Sequence, residues 1–188
     1  MKYKSNTCKD ENTLDSLYND YVDDLYLYAQ NLGFDKQTSM DAIHDVFCKL
    51  CTNKNLLSTI NDAKFYLFRS LKNRLIDIYR EQRGHLHLPF ESLVDEIPFT
   101  IKVTVEDEMM NAEEEVALKN RIDEILYILT DRQREIIYLR YMHNYDYPKI
   151  AELMHITIPA CHKLMHKTLS KLKKKNALSL ILLLSLLS

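Results

Sequence analysis

Glycine and proline are scarce in this chain, which holds two glycines and four prolines among 188 residues. Because both residues interrupt helices, their scarcity favours a helical protein. No alternating run of strand-forming residues is longer than Phe99–Val105. The sequence also lacks a glycine-rich phosphate loop, a nucleophile elbow and a paired catalytic carboxylate motif. It therefore predicts a chain that is not an enzyme and that needs no cofactor.

Long apolar runs and a disulfide framework are lacking too. The longest apolar run, in residues 177–188, is about a dozen residues long, whereas a membrane-spanning helix needs about twenty. Four cysteines in a chain this long and helical do not indicate a disulfide scaffold. The chain starts with polar residues and shows no secretory signal, so we expect a cytoplasmic protein. We expect the apolar tail to pack on either domain or on another copy, or to bind a partner; attachment to a membrane surface is the alternative.

Charge is unevenly distributed, although the formal net charge is only −2. Residues 81–130 hold four Lys or Arg against twelve Asp or Glu, whereas residues 131–175 hold ten against four. The acidic stretch contains Gly84, Pro89 and Pro98 and has no helical periodicity before Ala112. The sequence thus predicts an all-α fold of two small helical domains joined by an acidic linker. The predicted divisions are a polar tail (1–12), a first domain (13–83), the linker (84–111), a second domain (112–175) and the apolar tail (176–188).

Apolar spacing predicts three helices in the first domain. They run from Leu14 to Leu32, from Asp35 to Thr52 and from Ala63 to Arg83, and Gly33 suits the left-handed end of the first. The second helix has an inward stripe of Ile43, Val46, Phe47, Leu50 and Cys51 and an adjoining polar stripe of Asp41, His44, Asp45 and Cys48. The third buries Leu67, Phe68, Leu71, Leu75 and Ile78 and exposes Tyr66, Arg69, Lys72, Asn73, Arg74, Arg80 and Arg83. This exposed face could follow phosphates and stack on unpaired bases, and a plain solvated face is the alternative.

A helix-turn-helix is predicted in the second domain. Asp146 can cap its first helix, Pro148 suits the first turn, and Ile150, Ala151 and Met154 would face inward. His155 stands in the turn, where glycine is usual and where a left-handed residue costs about 1 kcal/mol. Thr157 can cap the second helix, which has an inward stripe of Cys161, Met165, Thr168, Leu169 and Leu172.

The outward face of that second helix is basic. It carries Ala160, His162, Lys163, His166, Lys167, Ser170 and Lys171. A recognition helix in the major groove needs small or hydrogen-bonding groups near its start and cations along its flank. The pattern therefore favours DNA binding, with an ordinary amphipathic helix pair as the alternative.

Three phrases of the sequence resemble the extracytoplasmic-function sigma factors of the sigma-70 family. They are Asp41-Ala-Ile-His-Asp-Val-Phe, Tyr66-Leu-Phe-Arg-Ser-Leu-Lys-Asn-Arg-Leu-Ile-Asp and Leu129-Thr-Asp-Arg-Gln-Arg-Glu, in the family's order and around a linker. The resemblance covers residues 14–174. It implies a region-two domain, a flexible linker and a region-four domain that together bind bacterial core RNA polymerase and direct promoter recognition and melting.

The resemblance also implies roles for individual residues and partners. Polymerase would be bound through its β′ clamp helices and β flap, and an anti-sigma factor is a further candidate partner; a small-molecule substrate is not expected. His44 replaces the family's usual glutamine, and Tyr66 stands where a tryptophan is frequent. The implied residues are Asp41, His44, Asp45 and Phe47 for polymerase; Tyr66, Arg69, Asn73, Arg74 and Arg80 for the minus-ten element; and Arg140, Ala160, His162, Lys163, His166 and Lys167 for the minus-thirty-five element.

Two other interpretations remain open at this point. A helix-turn-helix regulator that does not join core polymerase would share the second domain. A zinc site is the other, because His44, Cys48 and Cys51 have ligand-like spacing and Cys8 could be a fourth ligand. Against zinc, Cys51 lies on the apolar stripe, and free cysteine is a common small core residue.

Overall fold

The computed structural model describes residues 7–53, 59–82, 84, 96–101 and 112–175, without the side chains of 7–13, 112–115, 118 and 175. The chain divides into two compact units, residues 1–93 and 94–188. The described ranges contain helices and no strand, as predicted. The helices are α1 (Thr7–Asn31), α2 (Lys36–Thr52), α3 (Ala63–Gln82), α4 (Ala112–Tyr127), α5 (Asp131–Tyr141), α6 (Tyr147–Leu153) and α7 (Ile158–Lys175). Predictions for the apolar tail and for most of the linker lie outside the described residues.

Helices α1, α2 and α3 pack against one another in the first unit. Gly33 ends α1 with a φ of 82°, as its position predicted, because only glycine takes that conformation without strain. Asp35 then caps α2 by accepting a hydrogen bond from the Thr38 N–H, which, with the Thr38 hydroxyl, holds the pKa of Asp35 below its usual value. The core contains Leu25, Tyr28, Ala29, Ile43, Val46, Leu50, Leu67, Phe68, Leu71, Leu75 and Ile76.

Three positions in the first unit differ from their predicted burial. Cys51 is exposed, although the pattern placed it on the inward stripe. Ile76 is fully buried where Ile78 was predicted, and Lys72 is only 2% exposed, although the pattern placed it on the basic face. The buried side of α3 therefore extends to Lys72 and Ile76 and leaves Ile78 partly exposed, because α1 and α2 both pack against this helix.

Short side-chain caps define the helices of the second unit. Thr130 and Gln133 form a reciprocal capping box at the start of α5, in which each side chain bonds the backbone N–H of the other. Asp146 accepts from the Lys149 N–H at 3.1 Å, and Thr157 accepts from the Ala160 N–H at 3.3 Å. The two caps predicted from the sequence are thus confirmed.

Replacing Thr130 with alanine is expected to lower the free energy of unfolding of the second unit by about 0.5–2 kcal/mol, because the Gln133 N–H loses the hydroxyl to which it donates. Hydrogen exchange of the α5 amides in the full chain measures this loss. Lys171→Ala, at an exposed helical position, is the control and should change little. Equal exchange in the two variants would contradict the prediction.

Residues 96–101, which the sequence assigned to the linker, pack on α5 in the second unit. Ile97, Phe99 and Ile101 are at most 5% exposed, and the ring of Phe99 contacts the ring of Tyr138 edge-on at 5.4 Å. The Phe99 N–H donates to Asp131 at 3.0 Å, and its carbonyl accepts from Nε of Arg134 at 2.6 Å. We call residues 96–101 the anchor segment. It adds an extended layer of three apolar side chains to the helical core.

Arg134 joins this anchor segment to two helices. Its guanidinium donates to the carbonyls of Leu126 and Leu129 at 3.1 and 2.7 Å and also bonds the Asp131 carboxylate. Burial alone would raise the pKa of Asp131, but the Phe99 N–H and the Arg134 guanidinium outweigh that effect and lower it. Asp131 and Arg134, in the first turn of α5, therefore hold the anchor segment and the end of α4 against α5.

Candidate nucleic-acid interface

Helix α7 presents the basic face that its spacing predicted. Cys161, Thr168 and Leu172 are fully buried and Met165 is 2% exposed, whereas Leu169 is partly exposed. Burial raises the pKa of the Cys161 thiol, so this cysteine is a neutral packing residue. The opposite side of the helix is exposed over Ala160, His162, Lys163, His166 and Lys167. All five predicted contact residues of this helix consequently share one accessible face.

The turn between α6 and α7 holds that face in place. Ile150, Ala151 and Met154 are buried as predicted, and His155 has a φ of 53°, so the left-handed turn forms without glycine. Arg132 supports the turn from α5 by donating to the Met154 carbonyl at 2.6 Å. Arg132 is itself paired with the buried carboxylate of Glu135 at 3.3 Å. A hydrogen bond from α5 thus holds the turn of the helix-turn-helix in position.

Arg140 is held at the edge of the same face. It donates to the Tyr145 carbonyl at 2.8 Å, and its guanidinium lies 5.4 Å from the ring centre of Tyr147. The ring of Tyr147 also packs on the ring of His162, with centroids 3.9 Å apart. Sequence reasoning did not single out Tyr147. Its only local signal is its place directly after the Asp146 cap and before Pro148.

One side of α3 brings most of its predicted residues together, although only Arg69 is exposed and Tyr66, Asn73, Arg74 and Arg80 are partly buried. Tyr66, Asn73 and Arg80 are spaced by sevens, which is close to two helical turns, and Arg69 lies between them on the same side. The Oδ1 atom of Asn73 is buried and accepts no hydrogen bond from the described residues. A buried amide oxygen without a hydrogen-bond partner costs about 1–3 kcal/mol.

The polar stripe of α2 is exposed at Asp41, His44, Asp45 and Cys48, as predicted. Phe47 differs, because it is only 5% exposed and packs edge-on against Tyr18 at 5.0 Å. The Tyr18 hydroxyl also lies 3.4 Å from Nε2 of His44. Phe47 therefore supports this surface from the core, and the accessible groups are the carboxylates and the imidazole.

One ion pair links the α2 stripe to the α3 face. Nε of Arg74 donates to the Asp45 carboxylate at 2.7 Å, and both side chains are partly exposed. The sequence assigned Asp45 to polymerase and Arg74 to DNA, and nothing in either helix alone indicated that they meet. The surface predicted to bind polymerase and the surface predicted to bind DNA therefore meet at this ion pair.

Metal binding and membrane insertion find no support in the described residues. Across these ranges, no three His, Cys, Asp or Glu side chains are placed to hold a metal ion, and this holds for His44, Cys48 and Cys51. The fourth candidate ligand, Cys8, has a side chain outside the described set. Among the described helices, none is long and apolar enough to span a membrane.

Two comparisons with known proteins agree with this geometry. Residues 119–172 match the family described as sigma-70, region 4, which covers α5, the helix-turn-helix and most of α4. The chain is also similar to the ECF RNA polymerase sigma factor SigM of Bacillus subtilis (strain 168). The two are 20% identical over 161 residues, which is 86% of this chain and 93% of that protein. This second match includes the first unit as well as the second.

Proposed function

We propose that the chain is a sigma factor of the extracytoplasmic-function group of the sigma-70 family, and that it joins bacterial core RNA polymerase and directs it to selected promoters. The main support for this function is that one chain contains both units. The second unit matches sigma-70 region 4, and the first unit is included in the similarity to a sigma factor. The second unit has an exposed basic recognition helix, and the first has a polar α2 stripe beside an aromatic and cationic α3 face. Such a protein has no bond-making chemistry of its own, because polymerase makes the RNA.

In the second unit, α7 would lie in the major groove at the minus-thirty-five element. Ala160 near its start allows close approach to the bases, and His162 and His166 offer hydrogen-bonding nitrogens. Lys163 and Lys167 would contact phosphates, as would Arg140, whose guanidinium has donors besides the one used on Tyr145. These roles follow from the shared exposed face.

In the first unit, α3 would bind the melted minus-ten element. Asn73 would read an extruded base with its side-chain amide, and Tyr66 would stack beside the opening strand. Arg69, Arg74 and Arg80 would hold backbone phosphates. Binding a flipped base offsets a few kcal/mol of unstacking, so opening would be favoured only at matching sequences.

The α2 stripe would contact polymerase. Asp41, His44 and Asp45 would face the β′ clamp helices, with Phe47 and Tyr18 packed behind them. The second unit would contact the β flap, and an anti-sigma factor would compete for one of these surfaces. Since these partners work where transcription occurs, we place the protein in the cytoplasm.

Transcription in vitro tests this function directly. Purified chain, bacterial core polymerase and a pool of genomic fragments would be incubated with nucleotides, and the 5′ ends of the RNA sequenced. We expect defined start points that share upstream elements and that are absent without the chain. An unchanged set of RNA ends would overturn the proposal.

Lys167→Ala is expected to weaken binding of the polymerase complex to all its promoters by a similar factor and to reduce the salt dependence by about one phosphate contact. Affinities measured at several salt concentrations would show this change in slope. Lys119→Ala, at an exposed position of α4, is the matched control. An unchanged slope for Lys167→Ala would remove this residue from the interface.

A helix-turn-helix regulator without polymerase binding is not favoured. Its first unit would have no reason to resemble a sigma factor, yet the similarity to the Bacillus subtilis protein spans 86% of this chain. Co-purification with core polymerase separates the two functions, because only the sigma factor requires it.

A further inference from the structure

The ring of Tyr147 contacts two side chains that the proposed function assigns to DNA. Its centroid is 3.9 Å from that of His162, with an interplanar angle of 35°. The guanidinium carbon of Arg140 lies 5.4 Å from the centre of the same ring. Tyr147 is half-buried, while His162 is exposed on the recognition helix.

This stack is fixed to the domain core at its far end. Arg140 donates to the carbonyl of Tyr145, and Tyr145 is only 4% exposed. Asp146, between the two tyrosines, caps α6 and sets the position at which Tyr147 enters the helix. Arg140 and Tyr147 therefore connect the buried residue Tyr145 to His162 through successive contacts.

The consequence for His162 is a restricted imidazole orientation. An exposed histidine on a helix samples several staggered rotamers, and a base contact would have to select one of them. Packing one ring face on Tyr147 favours one rotamer before DNA arrives, while the ring edge with its nitrogens stays accessible. Within the described residues, no hydrogen bond engages those nitrogens.

We propose that Tyr147 is a positioning residue for promoter recognition, and that it orients His162 toward one base edge in the major groove. This inference rests on the proposed function. Neutral imidazole offers one donor and one acceptor, so the base edge that it contacts depends on how the ring is held. Tyr147 therefore acts on sequence preference through His162, and its hydroxyl is not required.

The expected loss of DNA affinity follows from the side-chain conformational entropy that is lost when the protein binds DNA. Ordering one additional side chain weakens binding by about twofold to tenfold. We expect Tyr147→Ala to lower affinity for the preferred sequence by that factor and to reduce discrimination at the base pair that His162 contacts. Tyr147→Phe keeps the stacked ring and should retain both properties.

The test is a selection by the full chain bound to bacterial core polymerase. The probe is a promoter-length duplex randomised over about ten base pairs, one helical turn, at the upstream element. Sequences recovered by the unaltered chain define the preference at each position. The same selection is then made with Tyr147→Ala, Tyr147→Phe, His162→Ala and the double variant, with Tyr127→Ala as a control at a tyrosine that is 88% exposed.

We predict that Tyr147→Ala and His162→Ala lose base preference at the same position of the DNA. The double variant should lose no more preference at that position than His162→Ala alone. Tyr147→Phe and Tyr127→Ala should retain that preference. An unaltered preference in Tyr147→Ala, or a uniform loss at every position, would overturn the inference and leave the proposed function standing. If the unaltered complex itself selects no sequence, the proposed function fails, and the inference with it.

Discussion

Charge reversal at Asp41 is expected to weaken binding of the chain to core polymerase by about two to four orders of magnitude. Like charges brought together in an interface cost several kcal/mol, and Asp41 lies on the exposed stripe that we assign to the clamp helices. The fold should tolerate Asp41→Arg, because the Asp41 carboxylate is exposed and accepts from the exposed Gln37 amide, with its two oxygens at 3.0 and 3.1 Å.

Fluorescence titration of labelled full chain with core polymerase measures this effect. Asp23→Arg, at an exposed position of α1, is the matched control and should bind as the unaltered chain does. Asp45→Arg is less informative, since it would also place two guanidinium groups together at Arg74. If both Asp41→Arg and Asp23→Arg bind normally, the α2 stripe is not the polymerase surface.

Removing the Arg134 side chain should destabilise the second unit by about 2–4 kcal/mol, after allowance for its partial exposure. Alanine here removes the donors to the carbonyls of Phe99, Leu126 and Leu129 and leaves Asp131 without its guanidinium partner. The anchor segment should then separate from α5. Because the full chain has two units, hydrogen exchange that reports α5 and α1 separately is the appropriate measurement.

Arg121→Ala, exposed on α4, is the control for this substitution. A pH series adds a second test. The pKa of Asp131 is lowered in the folded chain, so its contribution is present above the unfolded value of about 3.9 and is lost as the pH falls through the folded pKa. The difference between Arg134→Ala and the unaltered chain should therefore shrink in acid. A difference below 0.5 kcal/mol at neutral pH, on the order of an ordinary surface substitution, would contradict the prediction.

Local signals in the sequence were sufficient to predict several of the helix ends. Asp146, Thr157 and Gly33 act on neighbouring backbone groups, so their roles could be predicted from residues within four positions. The exposed face of α7 was predictable for the same reason, because its buried stripe repeats at helical spacing. Such predictions need no knowledge of what packs against the helix.

Long-range contacts were not predictable in this way. Phe99 is hydrogen-bonded to Asp131 and Arg134, which lie more than thirty residues away in the sequence. The acidic composition of the predicted linker gave no sign that Phe99 and its neighbours Ile97 and Ile101 are buried. Lys72 and Cys51 were misplaced because the neighbouring helices decide the boundary of a buried stripe. Likewise, Arg74 meets Asp45 only because α2 and α3 pack together.

Promoter opening by the assembled complex is the measurement that bears most directly on the cooperation of the two units. A duplex carrying one of the mapped start points would be treated with permanganate, which oxidises unpaired thymines, in the presence of the chain, of core polymerase, or of both. We predict reactive thymines just upstream of the start point only when both proteins are present. A promoter that the chain binds but that stays fully paired with polymerase present would contradict the account and would leave a DNA-binding regulator in its place.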